Sequence, residues 1–497
     1  MAVVLLTHSY HLPYDSKQVR KMQPYAPLGT LYAAAALRVG NVSVAVFDTM
    51  LEAPEPGFAN ALRQLRPRVV AIYEDDFNFL SKMCLTRMRE LAWQLAHEAH
   101  EAGAVVIAHG SDATDQSGAY LRNGVDFVLH GEAEQTLVEL CSAILSGRPH
   151  LDIPGLVYLD GAGNLVQTPG KAPKNASWSS LPKPARELID LEPYRHAWIS
   201  AHGHFSGNVV ASRGCPYRCN WCAKPISGNK FQIRPARSVA AEIRELKEMY
   251  GVQHIWFGDD VFALNHQWVQ DFANEMEAMH SVLPFKIQSR ADLMTHTTVA
   301  GLKRAGCTEV WMGVESGSQK VLNTMDKGLS VSDVVTARSR LADEGIRACY
   351  FLQFGYPEET WEDIQQTIAL VRNTRPDDIG ISFSYPLPGT VFYERVHGQI
   401  GATRNWTDSD DLCVMFRAAY KDEFYMALRN ALHAEVSSWQ SEDSSEIVNA
   451  GSLWQQVFDL EPKTRNAEAT FHRGVSDDTN NPQLIPLHAL SSPARQI

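Results

Sequence analysis

Arg213-Gly214-Cys215-Pro216-Tyr217-Arg218-Cys219-Asn220-Trp221-Cys222 puts three of the chain's eight cysteines within eight residues, in a C-x3-C-x2-C spacing. The other five, Cys84, Cys141, Cys307, Cys349 and Cys413, are scattered. The set is therefore no disulfide framework, and metal ligation is the natural use of the clustered three. The motif directly follows an apolar segment at 208–212 that reads as the first strand of a βα series. Further strands are expected at 254–257, 285–288, 309–312, 347–354 and 378–384. Helices are expected between them at 240–250, 267–279, 298–305 and 361–373. Six such units over residues 206–400 predict a partial (β/α)6 barrel, whose chemistry sits at the carboxyl ends of its strands, where the cysteines fall.

Working outward, residues 1–145 alternate in the same manner. Strands are expected at 3–6, 42–47, 69–73, 105–108 and 125–129, and helices at 27–38, 84–102 and 134–145. Short apolar runs alternating with helices predict an α/β, doubly wound, Rossmann-like parallel sheet, which binds ligands beyond the carboxyl ends of its strands. Residues 146–205 are richer in Pro, Gly and Ser and read as a connector, with a hairpin over 156–167 around Asp160-Gly161. Residues 401–462 read as a helical, aromatic-rich C-terminal region covering the barrel mouth or packing on its wall. Residues 463–497 read as a disordered tail. No internal repeat is present.

At 497 residues the chain is long enough for two or three domains. The formal net charge of −12 lacks the basic footprint of nucleic-acid binding, so no nucleic-acid partner is expected. The apolar start, Ala2-Val3-Val4-Leu5-Leu6, is too short for a signal peptide. No stretch approaches a membrane span, and a cytoplasmic location is expected.

Three thiolates can hold three irons of a 4Fe–4S cluster and leave the fourth open. An open iron can chelate the amino and carboxylate groups of S-adenosylmethionine (SAM), and an electron from the cluster can then cleave the sulfonium to a 5′-deoxyadenosyl radical. Zinc is the competing reading, since His202 or His204 would supply a fourth ligand to Cys215, Cys219 and Cys222. Further motifs follow the later strands in order: Phe257-Gly258-Asp259-Asp260, Gln288-Ser289-Arg290, Gly313-Val314-Glu315-Ser316, Phe354-Gly355-Tyr356-Pro357 and Pro386-Leu387-Pro388-Gly389. With the cysteines, this set resembles the radical SAM superfamily. The resemblance implies a 4Fe–4S cluster on the three cysteines. It also implies SAM contacts from Trp221, Asp259, Asp260, Gln288, Arg290, Glu315, Ser316, Gly355 and Pro388, and an electron donor such as flavodoxin or ferredoxin.

The N-terminal domain resembles the cobalamin-binding domain that precedes the barrel in the cobalamin-dependent branch of that superfamily. The resemblance rests on Pro27-Leu28-Gly29, Asp48, His109-Gly110-Ser111-Asp112 and His130-Gly131-Glu132-Ala133-Glu134. It implies contacts to cobalamin from Pro27, Leu28, Gly29, Asp48, Tyr73, Gly110, Ser111, Gly131 and Glu132. Small residues at strand ends would let the flat ring approach the backbone. For Glu134 the preferred role is structural, at a helix N-terminus. No Asp-x-His-x-x-Gly motif is present, so cobalamin would bind base-off, with residues 73–78 beneath the ring. The alternative is a degenerate domain without cofactor.

The leading functional expectation is methylation of an unactivated carbon or phosphorus centre in a small-molecule or lipid-like substrate. Oxidative cyclisation of a tetrapyrrole-like substrate, methylthiolation of RNA and a non-catalytic cobalamin-binding protein are the alternatives. No catalytic acid or base is identified; Tyr385, Cys349 and Cys413 are candidates by location or reactivity type alone.

Overall fold

A computed structural model describes residues 4–149, 151–169, 178, 181–441 and 444–466. The first sheet contains β1 (Val4–Thr7), β2 (Val44–Val46), β3 (Val69–Tyr73), β4 (Val105–His109), β5 (Phe127–Leu129), β6 (Leu156–Leu159) and β7 (Leu165–Gln167), in the order β2-β1-β3-β4-β5-β6-β7. The first five are parallel, and the chain reverses its winding direction between β1 and β3. Side chains alternate between two cores. Val4, Leu6, Val69, Ala71 and Tyr73 pack with helices Leu28–Val39 and Glu134–Ser146 on one face. Leu5, Val70, Ile72, Val106 and Ala108 pack with Pro54–Leu65 and Thr86–Glu101 on the other. Burial on both faces explains why these strands read as continuous apolar runs.

Helix Pro54–Leu65 has no counterpart in the sequence reading, because it opens on Pro-Glu-Pro-Gly. Proline is tolerated in the first turn, where no intrahelical donor is needed, and Phe58 and Leu62 supply an i, i+4 pair to the core. The helix expected at 84–102 starts at Thr86, since Cys84 has φ +55° and Leu85 is extended. The hairpin expected in the connector forms as β6–β7. It pairs antiparallel with β5 and so extends the first sheet to Gln167.

The second sheet is an open barrel of six parallel strands: β8 (Ser206–Val209), β11 (His254–Phe257), β12 (Phe285–Ser289), β13 (Cys307–Glu315), β14 (Arg347–Phe354) and β15 (Asp378–Phe383). The strand expected at 208–212 breaks in two: after β8 the chain forms β9 (Ser212–Arg213), which pairs antiparallel with β10 (Gln232–Ile233). This two-residue ladder closes the base of a loop, residues 214–231, that carries all three clustered cysteines.

Beyond the barrel, helices Asp422–Ser438 and Ser444–Thr464 appear as expected, and Tyr425 packs on Phe383 of β15 with ring centroids 5.4 Å apart. Residues 401–421, expected to be helical, instead form an irregular strap across to the first domain. Trp406 and Thr407 accept from the Thr86 and Arg87 backbone N–H groups at 2.9 and 3.2 Å, and the Ser409 hydroxyl donates to Asp15 at 2.7 Å. Backbone groups paired to another segment are not available for helix formation. Tyr385 stacks on Trp406 of this strap at 4.4 Å, and its hydroxyl accepts from Asn405. The expected tail at 463–497 lies outside the described residues beyond Asn466.

Candidate functional site

The cysteine loop is shaped by one glycine and one asparagine. Gly214 has φ +79°, and a Cβ there would run into the Lys230 carbonyl on the opposite limb of the loop. Both features demand glycine. Gly214→Ala is expected to splay the loop base and lower iron retention after anaerobic reconstitution, read as iron per chain. Asn220 lies between the second and third cysteines and clamps the loop to three parts of the barrel. Its backbone N–H donates to the Met325 carbonyl (3.0 Å) and its side-chain amide to the Thr324 carbonyl (2.7 Å). Its side-chain oxygen accepts from the Tyr356 hydroxyl (2.5 Å), and its backbone carbonyl from the Phe392 N–H (3.0 Å). Lys224 braces the first limb by donating to the carbonyls of Cys215 and Tyr217. Asn220, Tyr356 and Lys224 were not among the sequence candidates: they hold the loop through contacts that no local spacing announces.

Cys215, Cys219 and Cys222 are all partly exposed and all free thiols. Burial raises Cys215 and pushes Cys222 up to about 12, so unaided thiolates are disfavoured there. A cationic cluster would reverse that preference. His202 and His204 do not complete a zinc site. They precede β8 while the cysteines follow it, so a strand separates them. His202 is hydrogen-bonded to the carbonyls of Lys21 and Met22, and His204 lies against His254 at the amino end of β11. Among the described residues, no three or more His, Cys, Asp or Glu side chains are gathered around a single-ion site.

The structure gives most of the SAM candidates protein partners. Asp259 is buried, accepts from the Ala211 N–H at 2.9 Å and from the Ser212 hydroxyl, and is pushed up to about 6 by burial. It therefore fixes the base of the cysteine loop. Asp260 pairs with Lys82 of the first domain. The Arg290 guanidinium lies 3.7 Å over the Tyr217 ring and donates to the carbonyls of Lys327 and Gly328. Glu315 pairs with buried Lys327 at 2.7 Å and has φ +62°. The Ser316 hydroxyl bonds with that of Thr367 at 3.0 Å and accepts from the Ser318 N–H. Gln288 lies in β12, Trp221 and Pro388 are partly exposed, and Gly355 has φ +80°. Buried polar atoms left without a hydrogen bond among the described residues gather at the same end of the barrel: the side-chain oxygen of Gln353, the Ser384 hydroxyl and one oxygen of Glu359.

Glu359 shows the local electrostatics. Its other oxygen accepts from the Gly355 N–H at 2.7 Å, and burial pushes its carboxyl up to about 8, so it is neutral at pH 7. An acid whose folded pKa is raised binds its proton more tightly when folded. The stability it contributes is fully present below the ordinary Glu range and is lost as pH rises through about 8. Glu359→Gln is expected to remove this loss: between pH 5 and pH 9 the Tm of the natural chain falls relative to that of the variant, as differential scanning fluorimetry would record.

The carboxyl ends of the first sheet face this loop. Tyr73 stacks on His109 at 4.0 Å, and His109 is hydrogen-bonded to the Gly131 carbonyl at 2.9 Å. The run Glu74-Asp75-Asp76 is buried, and burial pushes Glu74 and Asp75 up to about 6. Glu74 accepts from the Ser9 N–H, which ties the loops after β1 and β3 across the point where the winding reverses. Gly29 and Gly110 are small because this run packs on them: a Cβ at Gly29 would lie 2.9 Å from the Asp76 nitrogen, and one at Gly110 2.8 Å from the Glu74 side chain. Asp48 accepts from His8 at 2.8 Å and from the Tyr194 hydroxyl at 2.5 Å. Burial opposes ionisation of Asp48, but these hydrogen bonds outweigh it and hold its carboxyl low. Pro27 and Leu28 open a helix, with Leu28 in a small core with Phe77 and Trp178; Ser111 is buried, and Glu132 is partly exposed.

Arg213, the residue before Gly214, joins the two halves. Its guanidinium pairs with Glu134 of the first domain at 2.5 Å and lies over the rings of Trp178 (4.3 Å) and Phe77 (5.2 Å). Gly131 approaches the Ile226 carbonyl of the cysteine loop. Around this junction several buried polar atoms lack partners among the described residues: Nε and Nη1 of Arg213, Nε1 of Trp178 and Trp221, Nδ1 of His109 and Oδ1 of Asp76. Unsatisfied buried groups are rare and call for a missing partner.

Residues 209–371 match the family model described as the Radical SAM superfamily. An uncharacterized methyltransferase of Pyrococcus horikoshii is 28% identical over 284 residues, covering 57% of this chain and 60% of that protein's length. An anaerobic magnesium-protoporphyrin IX monomethyl ester cyclase of Rubrivivax gelatinosus is 22% identical over 400 residues, covering 78% of this chain and 70% of that one. Among solved structures, the radical S-adenosylmethionine methyltransferase TsrM from Kitasatospora setae, with cobalamin and a 4Fe–4S cluster bound, aligns with a TM-score of 0.66 at 19% identity. That alignment covers 81% of this chain and 79% of that one, so the likeness in fold spans both sheets.

Proposed function

We propose that this chain, a radical SAM enzyme by the domain it carries at 209–371, is a cobalamin-dependent methyltransferase acting on an unactivated carbon or phosphorus centre of a small or lipid-like molecule. The observation that carries the reading is the shared junction: the cysteine loop is ion-paired through Arg213 to the carboxyl edge of a doubly wound sheet, and unpaired buried donors and acceptors line both sides.

The residues present fit the cofactors. Three free thiols in one clamped loop suit a cluster with an open iron. Cobalamin carries a rim of amide side chains, and the donors of Arg213 and Trp178 with the acceptor of Asp76 match such groups. When bound, the cluster would supply the electron that cleaves SAM, and cobalamin would supply a transferable methyl group. The chain's own part is to hold and screen. Asn220 and Asp259 fix the cysteine loop, Gln353, Ser384 and neutral Glu359 offer polar contacts in the barrel mouth, and the strap at 401–421 ties barrel to sheet.

The test is anaerobic reconstitution with iron, sulfide, cobalamin, SAM and a strong reductant, followed by mass spectrometry. Formation of 5′-deoxyadenosine together with cobalamin-dependent S-adenosylhomocysteine is the expected result. The similarity to a cyclase favours a second reading, oxidative ring closure on a tetrapyrrole-like substrate, for which deoxyadenosine would appear without the homocysteine product.

A further inference from the structure

The six barrel strands turn one set of side chains toward the helices and the other set inward. Ile287, Val310, Met312, Leu352 and Ile381 pack with the helices in the main core. Their alternate neighbours face the other way. Of these, Lys286, Gln288, Trp311, Phe351 and Gly380 are only half-buried, and Ser382 is exposed. The inner face is therefore a trough that water reaches. Trp311 and Phe351 join no helix-backed core, yet each is held in place by the other. Their rings stack at 4.8 Å and 28°, and a Cβ at Gly380 would lie 3.0 Å from Phe351 and 3.3 Å from Trp311. A paired aromatic surface left open inside a barrel is what a flat ring stacks on.

A cation stands at the amino end of this trough. Lys286 of β12 is in register with Trp256 on one side and Glu309 on the other, and Gln288, further along the same strand, is in register with Trp311. Tyr25 of the first domain covers that end. Its hydroxyl lies 3.2 Å from that of Ser206 at the start of β8, and its ring lies 4.6 Å from that of Trp256 and 6.0 Å from the Lys286 amine. Glu309 is engaged elsewhere, by the Trp311 indole at 2.7 Å and by Arg347 at 2.8 Å. Lys286 forms no ion pair with a described residue, and its hydrogen bond to Gln23 is long, at 3.4 Å. Burial lowers the proton affinity of the amine, and an anion brought to it would restore that affinity. By strand geometry the backbones of Lys286 and Trp311 lie roughly 8 Å apart, a span that one fused-ring acid bridges.

We infer that the inner face of the barrel binds a flat conjugated carboxylate, its ring stacked on Trp311 and Phe351 and its carboxylate on Lys286. This rests on the radical SAM reading under Proposed function and narrows its substrate class. With the acid held at the amino ends of the strands, the far edge of the ring points toward their carboxyl ends, where the cysteine loop lies.

The test uses the full chain reconstituted with cluster and cobalamin. Binding of naphthalene-1-acetate is measured by calorimetry, and binding of protoporphyrin IX, the same chemistry on a larger ring, by its Soret absorbance. Each acid is compared with its uncharged derivative, the amide or the dimethyl ester, and cyclohexaneacetate serves as the non-flat acid. At least one flat acid is expected to bind, and which one does fixes the size of the ring. Lys286→Met is expected to weaken that acid at least about tenfold and to leave its uncharged derivative unchanged. Trp311→Leu is expected to weaken acid and derivative alike, roughly three- to tenfold, while Trp311→Phe, which keeps a flat ring, retains most of the affinity. Binding of neither flat acid overturns the assignment, as does equal binding of cyclohexaneacetate or an unchanged acid affinity in Lys286→Met. Cleavage of SAM to 5′-deoxyadenosine is followed in the same preparations. A chain that cleaves SAM and binds neither acid overturns this site and leaves the radical reading standing. The expected binding pattern in a chain that never cleaves SAM overturns the reading on which the substrate assignment rests.

Discussion

Replacing Cys215, Cys219 or Cys222 by alanine, one at a time, is expected to remove iron–sulfur absorbance and reduce 5′-deoxyadenosine formation to background. Three thiolates are the fewest that leave a 4Fe–4S cluster with a single open iron; with two, a second iron loses its protein ligand. Fold stability is expected to change little, because all three side chains are partly exposed and clamping of the loop falls to Asn220 and Gly214. The control is Cys141→Ala, a fully buried thiol in the helix behind the first sheet, which is expected to keep iron binding while lowering Tm. Unchanged iron content in Cys219→Ala would refute the ligand assignment.

The second large effect is expected at the junction. Arg213 and Glu134 are both at least nine-tenths buried and form an ion pair between domains. Glu134→Leu leaves the guanidinium desolvated without its counter-charge, which costs about 3–5 kcal/mol; adding Arg213→Met to it is expected to recover most of that. Thermal unfolding of the four proteins in the cycle gives the coupling directly. The single variant is also expected to weaken cobalamin retention, since the unpaired donors of Arg213 lie at the same junction. Additive effects in the cycle would show that the pair does not hold the domains together.

The two parts of the molecule were legible to different depths. Strands at Val69–Tyr73, His254–Phe257 and Arg347–Phe354 follow the sequence reading residue for residue, because burial on both faces leaves predominantly apolar runs. Helix Pro54–Leu65 gives no local signal because its breakers sit where a helix tolerates them, and the strap at 401–421 gives none because its partners, Asp15 and Thr86, lie hundreds of residues away. The close packing of the Glu74–Asp76 run on Gly29 and Gly110 is a long-range fact with no local signature.

By itself the sequence determined which cysteines cluster, which strand they follow and the βα order around them. These depend on spacing within a few residues and on apolar periodicity, both properties of the chain as written. The tertiary structure alone decided that Asp259 braces the cysteine loop, that Lys327 neutralises Glu315 and that Tyr194 reaches back to Asp48. It alone brought Arg213 to Glu134, 79 residues apart in sequence. Which buried charge meets which depends on how two sheets pack edge to edge, and burial then forces each polar group to find a partner wherever the fold supplies one.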